Sequence, residues 1–224
     1  MINIDIYNYI LKCLRKKLPL RSHNTKYNIK IIFDSLIYIL KNNLNWNTLI
    51  VIDNITVKTN SIYKYFLYLS KTNFFQKIVR RLNKKFFVDK INDARYCSVD
   101  STFIANKKCC KDNIKRNPYK SNKFGFKISV ITNQYDIPID LLLTEGNKHD
   151  LTILHEHLNK KVVTTYLKDK NLLADKGYRS KNLEHILCKN GTNIIIPQQK
   201  SFYPTDNLKQ IYKNRIYIEH FLVN

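Results

Sequence analysis

Apolar residues recur at helical spacing through the first third of the chain and alternate with polar ones through its middle. Ile29, Ile32, Phe33, Leu36, Ile37 and Leu40 share a helical period, which predicts a helix that buries one face. A polar break at KNNLNWN follows, with Trp46 as its packing anchor. Thr59, Asn60 or Ser61 is placed to cap a second helix, SIYKYFLYLS, and Asn73 to open a third, FFQKIVRRLNKKF. Residues 1–90 therefore read as a small all-α segment with tight breaks and a positive end. A helix-turn-helix-like DNA-binding segment fits this pattern, and so does a plain helical subdomain with a solvated basic face.

From about residue 95 the period shortens. RYCSVDSTFIA reads as a strand, and FGFKISVITN alternates Phe124, Phe126, Ile128 and Val130 with smaller or polar residues, as a half-buried strand does. Gln134, Tyr135 and Asp136 mark a turn into a third strand, IPIDLLLTEG. Asp150 is placed as N-cap of the helix LTILHEHLNKK. NLLADKGY is a short buried strand that ends in Asp175. Ser180 caps KNLEHILCKN, Gly191 closes it, TNIIIP is the fifth strand, and the chain from about 205 is helical. Three strands in a meander, then strands that return through helices, predict a ribonuclease H-like mixed five-stranded sheet over residues 91–224. In that arrangement Asp100 lies in the first strand, Asp175 at the end of the fourth and Glu219 on the last helix.

Charge adds a partner. The 224 residues carry 39 Lys and Arg against 17 Asp and Glu, a formal net charge of +22, and aromatic and basic residues are interleaved. Such a field attracts a polyanion, with nucleic acid favoured over an anionic membrane surface. No stretch is apolar enough to span a bilayer and no signal peptide is read, so an intracellular protein acting with DNA is expected. The five cysteines, Cys13, Cys97, Cys109, Cys110 and Cys188, form no C-x-x-C pair, which argues against a disulfide framework or a zinc ribbon.

Three carboxylates from separate elements of a basic chain suggest a metal site. In-line cleavage of a phosphodiester needs the attacking and leaving oxygens both stabilised, which two Mg²⁺ ions about 3.5–4 Å apart achieve. Two Asp and one Glu suit Mg²⁺, which keeps water and substrate phosphate as its other ligands. Lys176, Arg179 and Arg215 are placed to compensate the acids or to contact phosphate. Two of the acids also have a simpler reading: Asp175 as a turn residue before Gly177, Glu219 as an ion-pair partner of Arg215.

SVDSTFI, RNPYKSNKFGFKISVITN, IPIDLLLTEGNKHD, LLADKGYRS, IIIPQQK and YKNRIYIEHF together resemble the DDE transposases of bacterial insertion sequences, over roughly residues 30–224. Among these the resemblance is to the insertion-sequence-five group, related to Harbinger-type elements. It implies that Asp100, Asp175 and Glu219 form a catalytic triad holding two Mg²⁺ or Mn²⁺ ions. It implies accessory roles near the DNA for Tyr212, Arg215, His149, Lys123 and Lys127. The expected activity is metal-dependent strand cleavage and strand transfer at insertion-element ends, on double-stranded DNA, with a homodimer reasonable at synapsis. A metal-dependent nuclease of the same fold and a truncated DNA-binding remnant are the alternatives. The remnant is weighed because the family's Lys seven residues after Glu219 would fall beyond Asn224, which leaves the final helix short.

Overall fold

The computed structural model describes residues 3–18, 27–106, 115–118, 120, 123–197, 206–213, 215 and 218. The chain divides into two compact units, residues 1–88 and 89–224.

The first unit holds α1 (Ile4–Lys17), α2 (Ile29–Lys41), a hairpin of β1 (Leu49–Ile52) and β2 (Ile55–Lys58), α3 (Thr59–Lys71) and α4 (Phe74–Phe86). Side-chain oxygens of Asn3 and Asn28 cap the first two helices, accepting from Asp5 N at 2.8 Å and Ile31 N at 2.9 Å. On α2, Ile29, Ile32, Phe33 and Leu36 are buried as their spacing predicts, whereas Ile37 and Leu40 are exposed and Ile39 takes the inner position. Trp46 stacks on Phe66, with ring centroids 5.3 Å apart.

The segment is not all-α. Residues 49–58 form two short strands with Ile50 and Val57 buried, and Asp53 and Asn54, both at positive φ, make the tight reversal that pairs Ile52 with Ile55. A two-residue turn with both residues left-handed matches the twist of a hairpin, and Asp and Asn tolerate it better than other non-glycine residues. No side chain caps α3. Thr59 Oγ1 instead donates to the Thr48 carbonyl at the foot of the hairpin, 3.0 Å away.

A short helix, α5 (Val88–Asn92), precedes the sheet of the second unit. Its strands are β3 (Tyr96–Ala105), β4 (Lys115–Asn117), β5 (Lys123–Asn133), β6 (Pro138–Glu145), β7 (Asn171–Leu173) and β8 (Asn193–Ile195). Helices α6 (Asp150–Leu158), α7 (Lys161–Leu167), α8 (Lys181–Lys189) and α9 (Asp206–Lys213) complete it, with a 3₁₀ turn at Lys176–Tyr178. Across the sheet the order is β6-β5-β3-β7-β8. The first three strands in sequence pair antiparallel, and β7 and β8 run parallel to β3. This is the ribonuclease H-like arrangement expected from the strand and helix order.

The sheet has six strands rather than five. The extra one, β4, comes from the basic loop and pairs with the start of β5, on the edge that β6 occupies further along. Cys97 and Val99 of β3, Ile131 of β5 and Leu172 of β7 pack with Leu154, Val163, Leu167, Leu183 and Leu187 of the helices into one core. Burial pushes the Cys97 thiol up to about 12, so it behaves as core filler and not as a nucleophile. Cys109 and Cys110 lie outside the described residues.

Gly125 holds β3 and β5 together where the Phe103 ring crosses them. A Cβ there would come within 2.1 Å of the Ile104 carbonyl oxygen and 2.6 Å of the Phe103 ring. Gly125→Ala is therefore expected to destabilise the fold by roughly 1–3 kcal/mol, read as a lowered denaturation midpoint at unchanged denaturant slope.

Candidate functional site

Asp100 and Asp175 sit at one level of two neighbouring parallel strands. The β3–β7 register pairs Ser98 with Leu173, and each acid lies two residues beyond its member of that pair. Cys97 and Val99 turn into the core, so alternation sends Asp100 to the opposite face of the sheet. Its Oδ1 accepts from Ser101 N at 2.8 Å. Asp175 follows β7 in extended backbone and accepts from Gly177 N at 2.8 Å, which caps the 3₁₀ turn. The turn role read for Asp175 is thus real, and it leaves a carboxylate at the strand end.

The carboxyl-terminal segment reaches these strand ends through two of the expected accessory residues. Arg215 Nη2 donates to Asp100 Oδ2 at 3.0 Å, and Arg215 Nη1 lies 3.4 Å from the Tyr212 hydroxyl. The Tyr212 hydroxyl in turn donates to the Ala174 carbonyl at 3.2 Å. Burial opposes the Arg215 charge, yet Asp100, helped by Tyr212 and Asp175, outweighs it and raises the guanidinium pKa. The third expected acid, Glu219, lies outside the described residues.

A second set of polar groups adjoins Asp100 from the other face of β3. Ser101 Oγ donates to Asp150, and Lys127 Nζ reaches both Asp150 Oδ1 at 3.1 Å and the Lys148 carbonyl at 2.9 Å. Lys127 is therefore internally engaged, whereas Lys123 is exposed at the start of β5. The helix cap is also reassigned. His149 Nδ1 accepts from Leu151 N at 3.2 Å as N-cap of α6, and Asp150, the first helical residue, turns to Ser101 and Lys127. A carboxylate beside a hydroxyl and an ammonium gains more from those partners than from one backbone N–H.

Beneath these groups the Tyr178 ring is buried. Its hydroxyl pKa is raised, first by burial and then by the charges of Asp150, Asp100 and Asp175. Of the remaining expected cations, Lys176 is exposed, while Arg179 Nη2 donates to the Pro197 carbonyl at 2.7 Å and braces the loop after β8. Ser101, Asp150 and Tyr178 all lie in stretches that carry the resemblance, SVDSTFI, IPIDLLLTEGNKHD and LLADKGYRS, but the sequence places Asp150 only as a helix cap and gives the other two no role.

Residues 92–222, more than half of the chain, match the family described as the transposase DDE domain. The chain belongs to that family. Comparison with curated protein sequences finds no significant match. Among solved structures, a piggyBac transposase synaptic complex with hairpin DNA is similar at 14% identity and a TM-score of 0.44. That alignment covers 89% of this chain and 50% of the piggyBac chain, so this chain spans about half the length of that protein. A Mos1 transposase paired-end complex with the left transposon end aligns at 8% identity and a TM-score of 0.33, over 97% of this chain and 83% of the other.

DDE domains generally work with divalent metal ions. Among the described residues no group of three or more His, Cys, Asp or Glu side chains is close enough to hold one. The described donors still suit the chemistry. Asp100 and Asp175 are hard oxygen ligands, and Mg²⁺ commonly takes one or two carboxylates plus water and substrate phosphate. The oxygens that accept from Ser101, Arg215 and Gly177 each keep a second lone pair for a cation. No helix among the described residues is long and apolar enough to cross a membrane.

Proposed function

We propose that this DDE domain cuts and joins DNA at the ends of an insertion element of the insertion-sequence-five group, related to Harbinger-type elements. The observation that carries the reading is the placement of Asp100 and Asp175 at one level of adjoining parallel strands, with Arg215 facing them. Asp100, Asp175 and Glu219 would hold two Mg²⁺ or Mn²⁺ ions. Bound there, the ions supply charge stabilisation to the attacking and leaving oxygens of an in-line displacement.

The protein's own groups do the rest. Arg215 neutralises Asp100 before DNA arrives and offers a guanidinium fork to a phosphate afterwards. Tyr212 ties this arginine's segment to the end of β7. Asp150, Ser101 and Lys127 brace β3 from the opposite face, so that Asp100 is held rather than swung. Lys176 is exposed beside Asp175, where it can meet the DNA backbone. In the first step a water oxygen bonds to phosphorus and a 3′ oxygen leaves as the free hydroxyl. In the second, the oxygen of that 3′ hydroxyl bonds to a target phosphorus, and the target's own 3′ oxygen leaves and takes up the proton released. Neither step needs a covalent bond to protein. Two ends must be brought together, which favours a homodimer on double-stranded DNA.

The test incubates the full chain with labelled duplex bearing the repeats that flank its gene, plus plasmid target, in Mg²⁺ or Mn²⁺. Metal-dependent nicking at the repeat, followed by covalent joining of label to plasmid, is the expected result. Nicking without joining would reduce the protein to a nuclease. Binding with neither reaction would leave a DNA-binding protein without the proposed chemistry.

A further inference from the structure

We infer that α4 is the helix that docks on double-stranded DNA, through one exposed stripe of Gln76, Lys77, Arg80, Arg81 and Lys84. The inference rests on the DNA-acting reading above and assigns it a surface.

The first unit holds 16 Lys and Arg in residues 1–88 against three acids, Asp5, Asp34 and Asp53. The acids are not spread evenly. Asp34 and Asp53 both pair with Lys30, and Tyr7 donates to Asp34 at 2.7 Å, while Asp5 lies in the first turn of α1. From residue 54 to residue 88 there is no acid at all, against eight cations. Among the described residues no carboxylate forms an ion pair with Lys77, Arg80, Arg81 or Lys84. A solvated helix usually mixes both signs to gain i,i+4 pairs; a single-signed stripe forgoes them and repels itself.

The geometry of α4 suits a groove. Phe74 and Ile78 are buried on its inner side, with Leu82 partly so. The five stripe residues are exposed and recur at i, i+1, i+4, i+5 and i+8. Lys77 and Lys84 lie about 10 Å apart along the axis at 1.5 Å per residue. Lys77 also donates to the Thr72 carbonyl at 3.4 Å, which keeps its ammonium near the start of the helix. Lys85 is excluded from the stripe, since its ammonium sits 4.4 Å over the Tyr9 ring.

Two further features set the helix up to read DNA. Only Thr72 and Asn73 separate α3 from α4, and Asn73 is left-handed (φ 53°, ψ 32°), so the two helices are joined by a sharp turn. Phe75 of α4 packs on Phe66 of α3 at 5.6 Å, and Trp46 stacks beyond it, which fixes the angle of α4. Gln76 is exposed in the first turn, where a recognition helix meets base edges, and a Gln amide can bond an adenine bidentately. The cations behind it would take phosphates. α3 is the weaker choice: its exposed face carries only Lys64 and Lys71 beside Leu67 and Tyr68. An anionic membrane is disfavoured because the apolar side of α4 is already buried, leaving Val79 alone exposed.

The experiment measures binding of the full chain to a fluorescein-labelled mixed-sequence DNA duplex by anisotropy, across a salt series. One variant carries Lys77→Gln, Arg80→Gln, Arg81→Gln and Lys84→Gln. A charge-matched control carries Lys12→Gln, Arg15→Gln, Lys16→Gln and Lys41→Gln. Circular dichroism melts establish that both fold. The α4 variant is expected to bind roughly 100-fold more weakly, with its log–log salt slope smaller by about 3.6, since each of the four lost phosphate contacts removes about 0.9. The control should stay within about 3-fold of wild type. Wild-type binding with equal losses in both variants would overturn the assignment of α4 alone. No wild-type binding to DNA would overturn it together with the DNA-acting reading. Loss of α4-dependent binding to phosphatidylserine vesicles, with DNA binding unchanged, would make the partner a membrane and also overturn it.

Discussion

Asp100→Asn and Asp175→Asn are each expected to lower metal-dependent DNA nicking by on the order of 10³-fold or more while leaving DNA affinity within a few-fold of wild type. A 10³-fold loss is about 4 kcal/mol of barrier, the scale at which removing a metal-held charge acts on phosphoryl chemistry. Asparagine keeps the shape of the side chain and one oxygen, so β3 and the 3₁₀ turn after β7 retain their backbone bonds. At Asp100 the substitution leaves Arg215 facing a neutral amide, so a partly buried guanidinium loses the charge of this pair. Some loss of stability is therefore expected at Asp100 and less at Asp175, so melting midpoints are measured beside the single-turnover nicking rate. Equal nicking by wild type and both variants would remove these acids from the chemistry.

The second large effect lies in a buried polar network that braces β5, β6 and α6, next to the site through Ser129, the cross-strand partner of Ser101. His157 is fully buried, with Nδ1 2.8 Å from Asp140 Oδ2 and Nε2 3.0 Å from Ser129 Oγ. Lys160 Nζ reaches the same Asp140 oxygen at 2.6 Å. Ser129 is itself fully buried, which denies it to any substrate, so a chain of serine, histidine and aspartate here serves structure and not hydrolysis. His157→Leu strips a partner from both neighbours. Removing one member of a buried polar pair costs about 3 kcal/mol, a large share of a stability of about 5–15 kcal/mol. A fall in Tm on the order of 10 °C is expected in thermal unfolding.

The same network carries a pH signature. Burial works to raise the Asp140 pKa, but its bonds from His157 and Lys160 prevail and hold it below the ordinary carboxylate value. A depressed folded-state pKa means that the contribution is complete above the unfolded value, near 4, and fades as the pH falls through the lower folded one. Wild type should thus lose stability below about pH 4 more steeply than Asp140→Asn, which lacks the titrating group. Parallel stability curves for the two proteins below pH 4 would rule the network out as the source.

How much of this was legible depends on whether the signal was local. β3, β5 and β6 announce themselves by alternation, and the single acid in YCSVDSTFI marks a strand whose polar face has one carboxylate to offer. The shared level of Asp100 and Asp175 follows once β3 and β7 are parallel neighbours, which strand order predicts. The hairpin at residues 49–58 was masked because four-residue strands between helices are too short to show a period, and its turn uses Asp-Asn in place of a glycine. Lys127 shows the other limit. In sequence it is one cation of a basic stretch; in space it is the partner of Asp150, 23 residues further along and on another element. His149 and Asp150 exchanged roles for a similar reason, because the partners that claim Asp150 come from β3 and β5. Through-space convergence of four elements leaves no spacing to read.

The most direct test of the central claim is a Mn²⁺ titration of the full chain followed by electron paramagnetic resonance, with Asp100→Asn, Asp175→Asn and, from the first unit, Asp53→Asn alongside. The account predicts saturable loss of the free-ion signal in wild type and Asp53→Asn, and at least about 10-fold weaker binding in the two site variants. Equal Mn²⁺ affinity in all four proteins would contradict a metal site built on Asp100 and Asp175.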